Sequence, residues 1–167
     1  RGSRNVNIIK NLKQFLIIKN KIKKKDAYII QKVTKGNEFT VSVITNNLSN
    51  DYQIIPKRII EKKGITKKAV TEENDLIKKT CTKIIKTFKP GGPFNVQCIA
   101  NKETVEVFEI NPRLSTSSTL TSAAGFHEVN MIVKNKLIKK IKFKKTKWKK
   151  KIKLNRTSKD NFLYENK

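Results

Sequence analysis

The sequence has few of the residues that build the commonest metal and catalytic sites. Its 167 residues include one histidine and two cysteines, too few for a structural zinc site with four nitrogen or sulfur ligands. The cysteines, Cys81 and Cys98, are expected to be reduced thiols of a cytoplasmic protein. No run approaches the roughly 18 apolar residues that a membrane-spanning helix needs, so we expect no membrane partner.

Arginine is also scarce, although the formal net charge is +26. Only five of the 39 basic residues are arginine, whereas surfaces that recognise bases favour its planar guanidinium group. A lysine excess beside abundant isoleucine and asparagine indicates biased codon usage more than a designed surface. A basic nucleic-acid-binding module remains the alternative function, and its candidate surface is the run of 12 lysines in residues 134–153.

The middle of the chain reverses this charge. Residues 91–133 contain two basic and four acidic side chains, and the segment VFEINPRLSTSS begins at residue 107. This segment places Glu109, Asn111 and Arg113 together at the end of an apolar run. The contrast with the lysine-rich remainder marks it as the chemically informative part of the sequence.

The hydrophobic pattern predicts an α+β fold, an antiparallel sheet with flanking helices that lie to one side of it. Thr71 is the expected cap of the helix that ends before Pro90, and Pro56 suggests a strand near an edge or a bulge. Helices are predicted at 11–22, 73–88 and 127–138, a loop or short helix at 114–126, and strands at 27–33, 38–45, 52–60, 93–100, 104–111 and 151–157.

The last two long strands form a predicted hairpin whose register decides which side chains share a face. A two-residue turn would place apolar beside acidic residues, whereas a three-residue loop at 101–103 places Val96 opposite Phe108. We therefore expect the second register. Because residues two apart in a strand share a face, one polar face then carries Gln97, Glu109 and Asn111.

Two interpretations of this polar face follow from the residue types. Three oxygen-bearing side chains on a rigid surface suit a hard cation such as Mg²⁺, and Arg113 is placed to pair with a phosphate bound to that metal. Alternatively, Glu109 forms a salt bridge with Arg113, and Asn111 and Pro112 only turn the chain. The residues alone leave both open.

A longer pattern resembles a known family. FNVQ, followed after eleven residues by EINPRLSTSSTLTSAAGF, resembles the closing segment of the ATP-grasp superfamily, above all the branch typified by the carbamoyl-phosphate synthase large chain. Further similar segments follow in the family's order: RGSRNV (1–6), IIQKVTKGNEFTV (29–41), IIPKRIIEKKGITKKAVT (54–71) and IKLNRTSKDNFL (152–163). The resemblance implies that residues 1–167 are a partial ATP-grasp domain, the C-terminal subdomain, which starts within the glycine-rich loop and lacks the upstream half.

The resemblance also implies the ligand set. Gln97, Glu109 and Asn111 would hold Mg²⁺ or Mn²⁺ at the phosphates of ATP, and Arg113 would steady the transferred γ-phosphoryl group. Glu38 would accept hydrogen bonds from the ribose. Ser3 and neighbouring backbone amides would cover the phosphates.

The implied reaction is an ATP-dependent ligation. A carboxylate or bicarbonate would become an acyl phosphate, which an amine-type nucleophile then attacks, so that positioning and charge neutralisation are the protein's main tasks. The chain departs from relatives in having Lys32 where many carry a glutamate near the adenine. We expect these residues alone to be inactive, and a non-catalytic remnant of the family is a further alternative.

Overall fold

The computed structural model describes residues 6–22, 28–46, 51–137 and 146–157. The chain divides into two compact units, Arg1–Lys35 and Gly36–Lys167. The first unit contains the predicted helix, α1 (Leu12–Lys21), whose N-cap is Asn11; the Asn11 side chain accepts the N–H of Gln14 at 2.9 Å. The predicted strand at 27–33 is wrong, because residues 28–35 form no strand.

The second unit is built on an antiparallel sheet. In the described residues it has six strands: β1 (Asn37–Asn46), β2 (Asp51–Lys63), β3 (Ile65–Thr71), β4 (Phe94–Ala100), β5 (Val105–Asn111) and β6 (Lys153–Asn155). Their order across the sheet is β5-β4-β1-β2-β3-β6, and every neighbouring pair is antiparallel. The predicted antiparallel sheet is therefore confirmed.

Three helices of the described residues accompany this sheet: α2 (Asp75–Phe88), α3 (Ser118–Ala123) and α4 (Glu128–Leu137). The α+β class with flanking helices is confirmed. Of the helices in the described ranges, none is long and apolar enough to span a membrane.

One face of the sheet packs against α2. Strands β1 and β4 send alternate apolar side chains to this face, and α2 contributes the fully buried Ile77 and Cys81. Burying one large apolar side chain contributes about 1.5–3 kcal/mol. Because this cluster contains more buried side chains than the cluster on the other face, it is the main hydrophobic core. Its buried strand residues are Phe39, Val41, Val43, Ile54, Phe94, Val96, Cys98 and Ala100.

The opposite face carries a smaller apolar cluster. Ile44, Ile55 and Phe126 are buried there, and Met131 and Ile132 of α4 pack against them. Helices therefore flank both faces, and the expectation that they lie to one side is wrong. The physical reason is that Ile44 and Ile55 alternate with the main-core residues and need their own apolar cover.

Pro56 lies in an interior strand, not at an edge. It pairs with Val41 of β1, and its carbonyl oxygen accepts the N–H of Glu72 at 3.1 Å, just beyond the end of β3. The nitrogen and carbonyl of one strand residue point to the same neighbouring strand. The nitrogen of Pro56 therefore points away from β1, towards residue 72, where β3 has already ended. The proline consequently removes no hydrogen bond to β1.

The cap of α2 also differs from the prediction. Asn74 is the N-cap, and its side chain accepts the N–H of Ile77 at 2.9 Å. Thr71 is the last residue of β3, where its hydroxyl donates to the carbonyl of Lys149 and accepts the N–H of Ile152. Asparagine and threonine are both good caps, so their order along the chain did not reveal which one caps.

A β-bulge sets the register of the β4–β5 hairpin. Gln97 lies opposite Glu109 but Cys98 lies opposite Val107, so Phe108 has no residue opposite it. The connecting loop has four residues, 101–104, because the Asn101 side chain accepts two backbone N–H groups within it. The predicted register is therefore wrong.

This bulge separates apolar from polar residues within one strand. Without it, residues 105, 107, 109 and 111 would share a face. The extra residue reverses the alternation, so that Val105 and Val107 pack on the main core while Glu109 and Asn111 face the other way. The predicted polar face is thus formed, although by a different register.

The two core thiols predict how stability changes with pH. Burial raises the pKa of Cys81 and of Cys98 to about 12, each from an ordinary value of 9. Their neutral forms contribute stability that is fully present below pH 9 and is lost as the pH rises towards 12. At pH 10.5 the loss should be about 2 kcal/mol per thiol, measured by urea unfolding between pH 8 and 10.5.

The control for this prediction is the double variant Cys81→Ala/Cys98→Ala. It should be less stable at pH 8, because small cavities form, and between pH 8 and 10.5 the free energy of unfolding of the wild type should decrease relative to that of the variant. Equal slopes for the wild type and the double variant would contradict the prediction.

Candidate functional site

A row of polar residues crosses the sheet on the face opposite α2. Glu109 of β5 pairs with Gln97 of β4, Gln97 with Thr40 of β1, and Thr40 with Lys57 of β2. Directly paired residues share a face, so four strands present one polar side chain each. Asn111 lies two residues beyond Glu109 on the same face.

The exposed end of this row is joined by side-chain hydrogen bonds. Asn111 Nδ2 donates to Glu109 Oε1 at 2.9 Å, and Gln97 Nε2 donates to Glu109 Oε2 at 3.0 Å. Lys62 Nζ donates to Gln97 Oε1 at 3.3 Å and to Glu38 Oε1 at 2.6 Å. The structure therefore brings together Glu38, Gln97, Glu109 and Asn111, and it adds Lys62.

Arg113 lies in the turn that follows β5. Its backbone N–H donates to the carbonyl of Asn111 at 2.8 Å, and its Nη1 donates to the carbonyl of Leu114 at 3.0 Å. The guanidinium group is exposed and does not pair with Glu109, whose carboxylate accepts the two amides instead. The simple Glu109–Arg113 salt bridge that the residue types allowed is thus not formed.

Lys57 forms the buried end of the row. Its side chain is fully buried, and Nζ donates to Ser42 Oγ at 2.6 Å and to Thr121 Oγ1 at 3.1 Å. The carbonyl of Ser117 lies at 3.5 Å from the same nitrogen. Burial lowers the pKa of Lys57 to about 8, and the carboxylate of Glu128 acts in the opposite direction.

Glu128 is a second buried charge. The residue is 1% exposed, and neither carboxylate oxygen has a hydrogen-bond partner in the described part of the chain. It begins α4, where the partial positive charge of a helix N-terminus favours a carboxylate. With Lys57 it places opposite charges beneath the polar face.

Small polar side chains connect the sheet to the segment after Arg113. Thr40 Oγ1 donates to Asn95 Oδ1 at 2.7 Å and lies 3.3 Å from Ser115 Oγ. Ser115 and Ser117 hydroxyls are 2.7 Å apart, and the N–H of Ser117 donates to Ser115 Oγ. All these side chains are buried, so the turn that carries Arg113 is held against the sheet.

The sequence reasoning missed Lys57 and Lys62. Lys57 interrupts the run of strand residues IIPKRII, and an ionisable residue in an otherwise buried strand is a signal. The 34 lysines of the chain conceal that signal, because most of them carry no information about a site. Ser3 and residues 138–145 of the lysine run lie outside the described residues.

The predicted metal ligands fit Mg²⁺ or Mn²⁺ by residue type. Across the described residues no three His, Cys, Asp or Glu side chains cluster, so the set relies on Glu109 and two amide oxygens. Mg²⁺ commonly takes one or two carboxylates and completes its shell with water and phosphate oxygens. In the present arrangement both amides turn their N–H groups, not their oxygens, towards Glu109.

The buried ammonium group predicts a second pH effect on stability. Because the folded-state pKa of Lys57 lies below its unfolded value, protonation opposes folding below pH 8, and this cost disappears as the pH rises towards 10.5. The Lys57 contribution should become more favourable by about 2 kcal/mol between pH 7 and 9.5. It is measured as the difference in free energy of unfolding between the wild type and Lys57→Met.

Subtracting the variant cancels the opposing contribution of the two thiols, which both proteins share. Lys83→Met, the same change at an exposed position of α2, is the matched control. A wild-type-minus-Lys57→Met difference that stays constant with pH would contradict the prediction.

Two solved enzyme structures illustrate the fold that the chain shares with known proteins. The phosphoribosylaminoimidazole carboxylase ATPase subunit from Aquifex aeolicus is 14% identical, with a TM-score of 0.55; the match covers 64% of this chain and 34% of that one. The N5-carboxyaminoimidazole synthetase from Staphylococcus aureus, solved with ADP, is 19% identical, with a TM-score of 0.52 and coverages of 63% and 31%. The chain spans about a third of the length of these structures.

These likenesses show the fold. No curated protein matches the chain. The placement in the branch typified by the carbamoyl-phosphate synthase large chain stays a prediction. A family model described as ATP-grasp in the biosynthetic pathway with Ter operon matches residues 24–159, most of the sequence, and the chain therefore belongs to the ATP-grasp superfamily, which confirms the resemblance in its sequence.

Proposed function

We propose that the chain is the part of an ATP-dependent ligase that binds ATP with Mg²⁺ or Mn²⁺. The observation that carries the proposal is the polar row that places Glu109 between two amide side chains. Family membership supports it, and so does the fold shared with a synthetase that was solved with ADP.

The metal would be held by Gln97, Glu109 and Asn111. When bound, it would neutralise charge on the phosphate oxygens. A single carboxylate suits a cation that arrives with a polyphosphate, because the phosphate oxygens supply the remaining negative ligands. All three side chains come from the β4–β5 pair, so strand pairing sets their backbone positions.

Arg113 would steady the transferred phosphoryl group. Its guanidinium group is exposed, and Nη1 donates to the carbonyl of Leu114, so its remaining N–H groups are available to phosphate oxygens. The buried hydroxyl contacts beneath residues 115–117 hold the turn that carries it. Positioned charge of this kind is the main contribution a protein makes to phosphoryl transfer.

Glu38 would accept hydrogen bonds from the ribose, and Ser3 with nearby amides would cover the phosphates. Glu38 is partly exposed and paired with Lys62, so a ribose hydroxyl would compete with that ammonium group. Adenine recognition near Lys32 would then depend on backbone groups.

The reaction would convert a carboxylate or bicarbonate into an acyl phosphate for an amine-type nucleophile. Because the chain spans about a third of the enzymes that share its fold, we assign turnover to a complete ligase that includes an upstream half. Residues 1–167 by themselves should bind nucleotide weakly and not turn over. A non-catalytic remnant would bind nucleotide without supporting turnover even when completed.

The proposal predicts ligand-induced shifts at named side chains. Adding Mg-ATP to the ¹⁵N-labelled 167-residue chain should shift the side-chain amide resonances of Gln97 and Asn111, an NMR measurement that detects millimolar affinity. Glu109→Gln removes the one carboxylate and should weaken the apparent affinity about tenfold or more, since a charge-assisted contact is lost. Glu103→Gln, the same change in the loop of that hairpin, is the control.

Mg-ATP shifts that are equal in the wild type and Glu109→Gln would contradict this function.

The nucleic-acid alternative, motivated by the net charge of +26, predicts a different ligand and a different salt dependence. Binding of a single-stranded RNA at low salt should then fall steeply with salt concentration and be indifferent to Glu109.

A further inference from the structure

Lys62 is in an unusual position for a lysine in a strongly basic chain. It lies beyond the last β1–β2 pair, Phe39 with Arg58, on the part of β2 that pairs with β3. Register shifts between Ile59 and Lys62 interrupt the ladder there. Its ammonium group nevertheless crosses back to side chains of β1 and β4.

This ammonium group fixes the orientation of the Gln97 amide. A side-chain amide has a donor end and an acceptor end, and the Gln97 oxygen accepts from Lys62 while its nitrogen donates to Glu109. Turning the amide over would bring its NH₂ group against the ammonium group, where two donors meet. The two hydrogen bonds of Gln97 therefore support each other.

A cation shared by Gln97 and Glu109 needs the opposite orientation. Metals bind the amide through its oxygen, so Oε1 must turn towards Glu109 and the bond to Lys62 must break. The ammonium group would also repel the cation, because both carry positive charge. Lys62 in its present position and a divalent cation beside Glu109 are mutually exclusive.

We propose that Lys62 is a latch that holds the Gln97 amide in the orientation that excludes a divalent cation, so that metal binding at Glu109 requires the ammonium group to leave. The inference rests on the proposed function for its ligand. Anionic phosphates offer the ammonium group another partner, so the metal should bind poorly alone and better with a nucleotide. Lys62 is thus a positioning residue that acts through Gln97.

The local charges agree with this role. Glu38 and Glu109 are the carboxylates of the hydrogen-bonded chain, and Lys62 neutralises one of them. Side chains of Lys62 and Glu38 are each 32% exposed, so the ammonium group can leave for solvent or a ligand without opening the core. The fully buried Lys57 has no such freedom.

The test uses Mn²⁺ alone, without nucleotide, and the 167-residue chain. Free Mn²⁺ is quantified by its electron paramagnetic resonance signal in titrations of the wild type and Lys62→Met at low ionic strength. Removing one positive charge beside a divalent ion should tighten binding about tenfold even in a nearly aqueous dielectric. A gain in affinity is a result that loss of a merely structural contact would not give.

Three further variants make the test specific. Lys63→Met, the same charge change on the next residue, should bind Mn²⁺ nearly as the wild type does. Lys62→Arg keeps a donor and a charge and should also stay close to the wild type. The double variant Lys62→Met/Glu109→Ala should lose the gain.

The inference is overturned if Lys62→Met binds Mn²⁺ no more tightly than Lys63→Met, or if the gain persists in the double variant. Its failure is distinguishable from failure of the proposed function, which depends on Glu109-dependent shifts with Mg-ATP. Tighter Mn²⁺ binding without those shifts would support the latch and contradict the nucleotide site.

Discussion

The hydrogen bonds of the buried Lys57 ammonium group connect the sheet to the segment that carries the candidate phosphate-binding arginine. One nitrogen joins β2 to Ser42 of β1, to Thr121 of α3 and, at longer range, to the carbonyl of Ser117. A buried ammonium group is costly unless its donors are satisfied, and here three acceptors and the nearby Glu128 surround it. Thr40, which pairs with Lys57 across the strands, contacts the buried hydroxyl of Ser115, and Ser115 contacts that of Ser117, so the same buried contacts support the polar face.

Much of the fold could be predicted because strand alternation and helix periodicity are properties of local sequence. The strands around Val41, Val96 and Val107 and the helix that includes Ile77 follow directly from those patterns. Choices that depend on a competition between similar local groups could not be predicted. Asn74 and Thr71 are both competent caps, and only the packed structure assigns one to α2 and the other to β3.

The candidate site illustrates the same limit. Residue types and parity predicted that Gln97, Glu109 and Asn111 share a face, yet the predicted register was wrong. The register assumed regular pairing, whereas the structure inserts Phe108 as a bulge and lengthens the loop by one residue. Beyond a bulge, residues that would have pointed to one face of the sheet point to the other. The alternation of apolar and polar residues in the sequence does not by itself reveal where this reversal occurs. The polar face was nevertheless predicted correctly, because the longer loop and the bulge each shift the register by one residue. The two shifts together leave Glu109 on the same face as Gln97.

The sequence could not show which lysines belong to the candidate site, because it does not reveal whether a given lysine side chain is buried or exposed. Desolvation and partners separate them in the structure: Lys57 is buried and fixed, whereas Lys62 is partly exposed and bound to two acceptors that a ligand could also use. The buried ammonium group of Lys57 donates to a layer of oxygen atoms, whereas the exchangeable ammonium group of Lys62 competes with incoming cations. In a chain with an excess of positive charge, the lysines that indicate a site are therefore those whose ammonium groups donate to protein oxygen atoms instead of water. By this criterion Lys57 and Lys62 belong with Gln97, Glu109 and Asn111 to one candidate site.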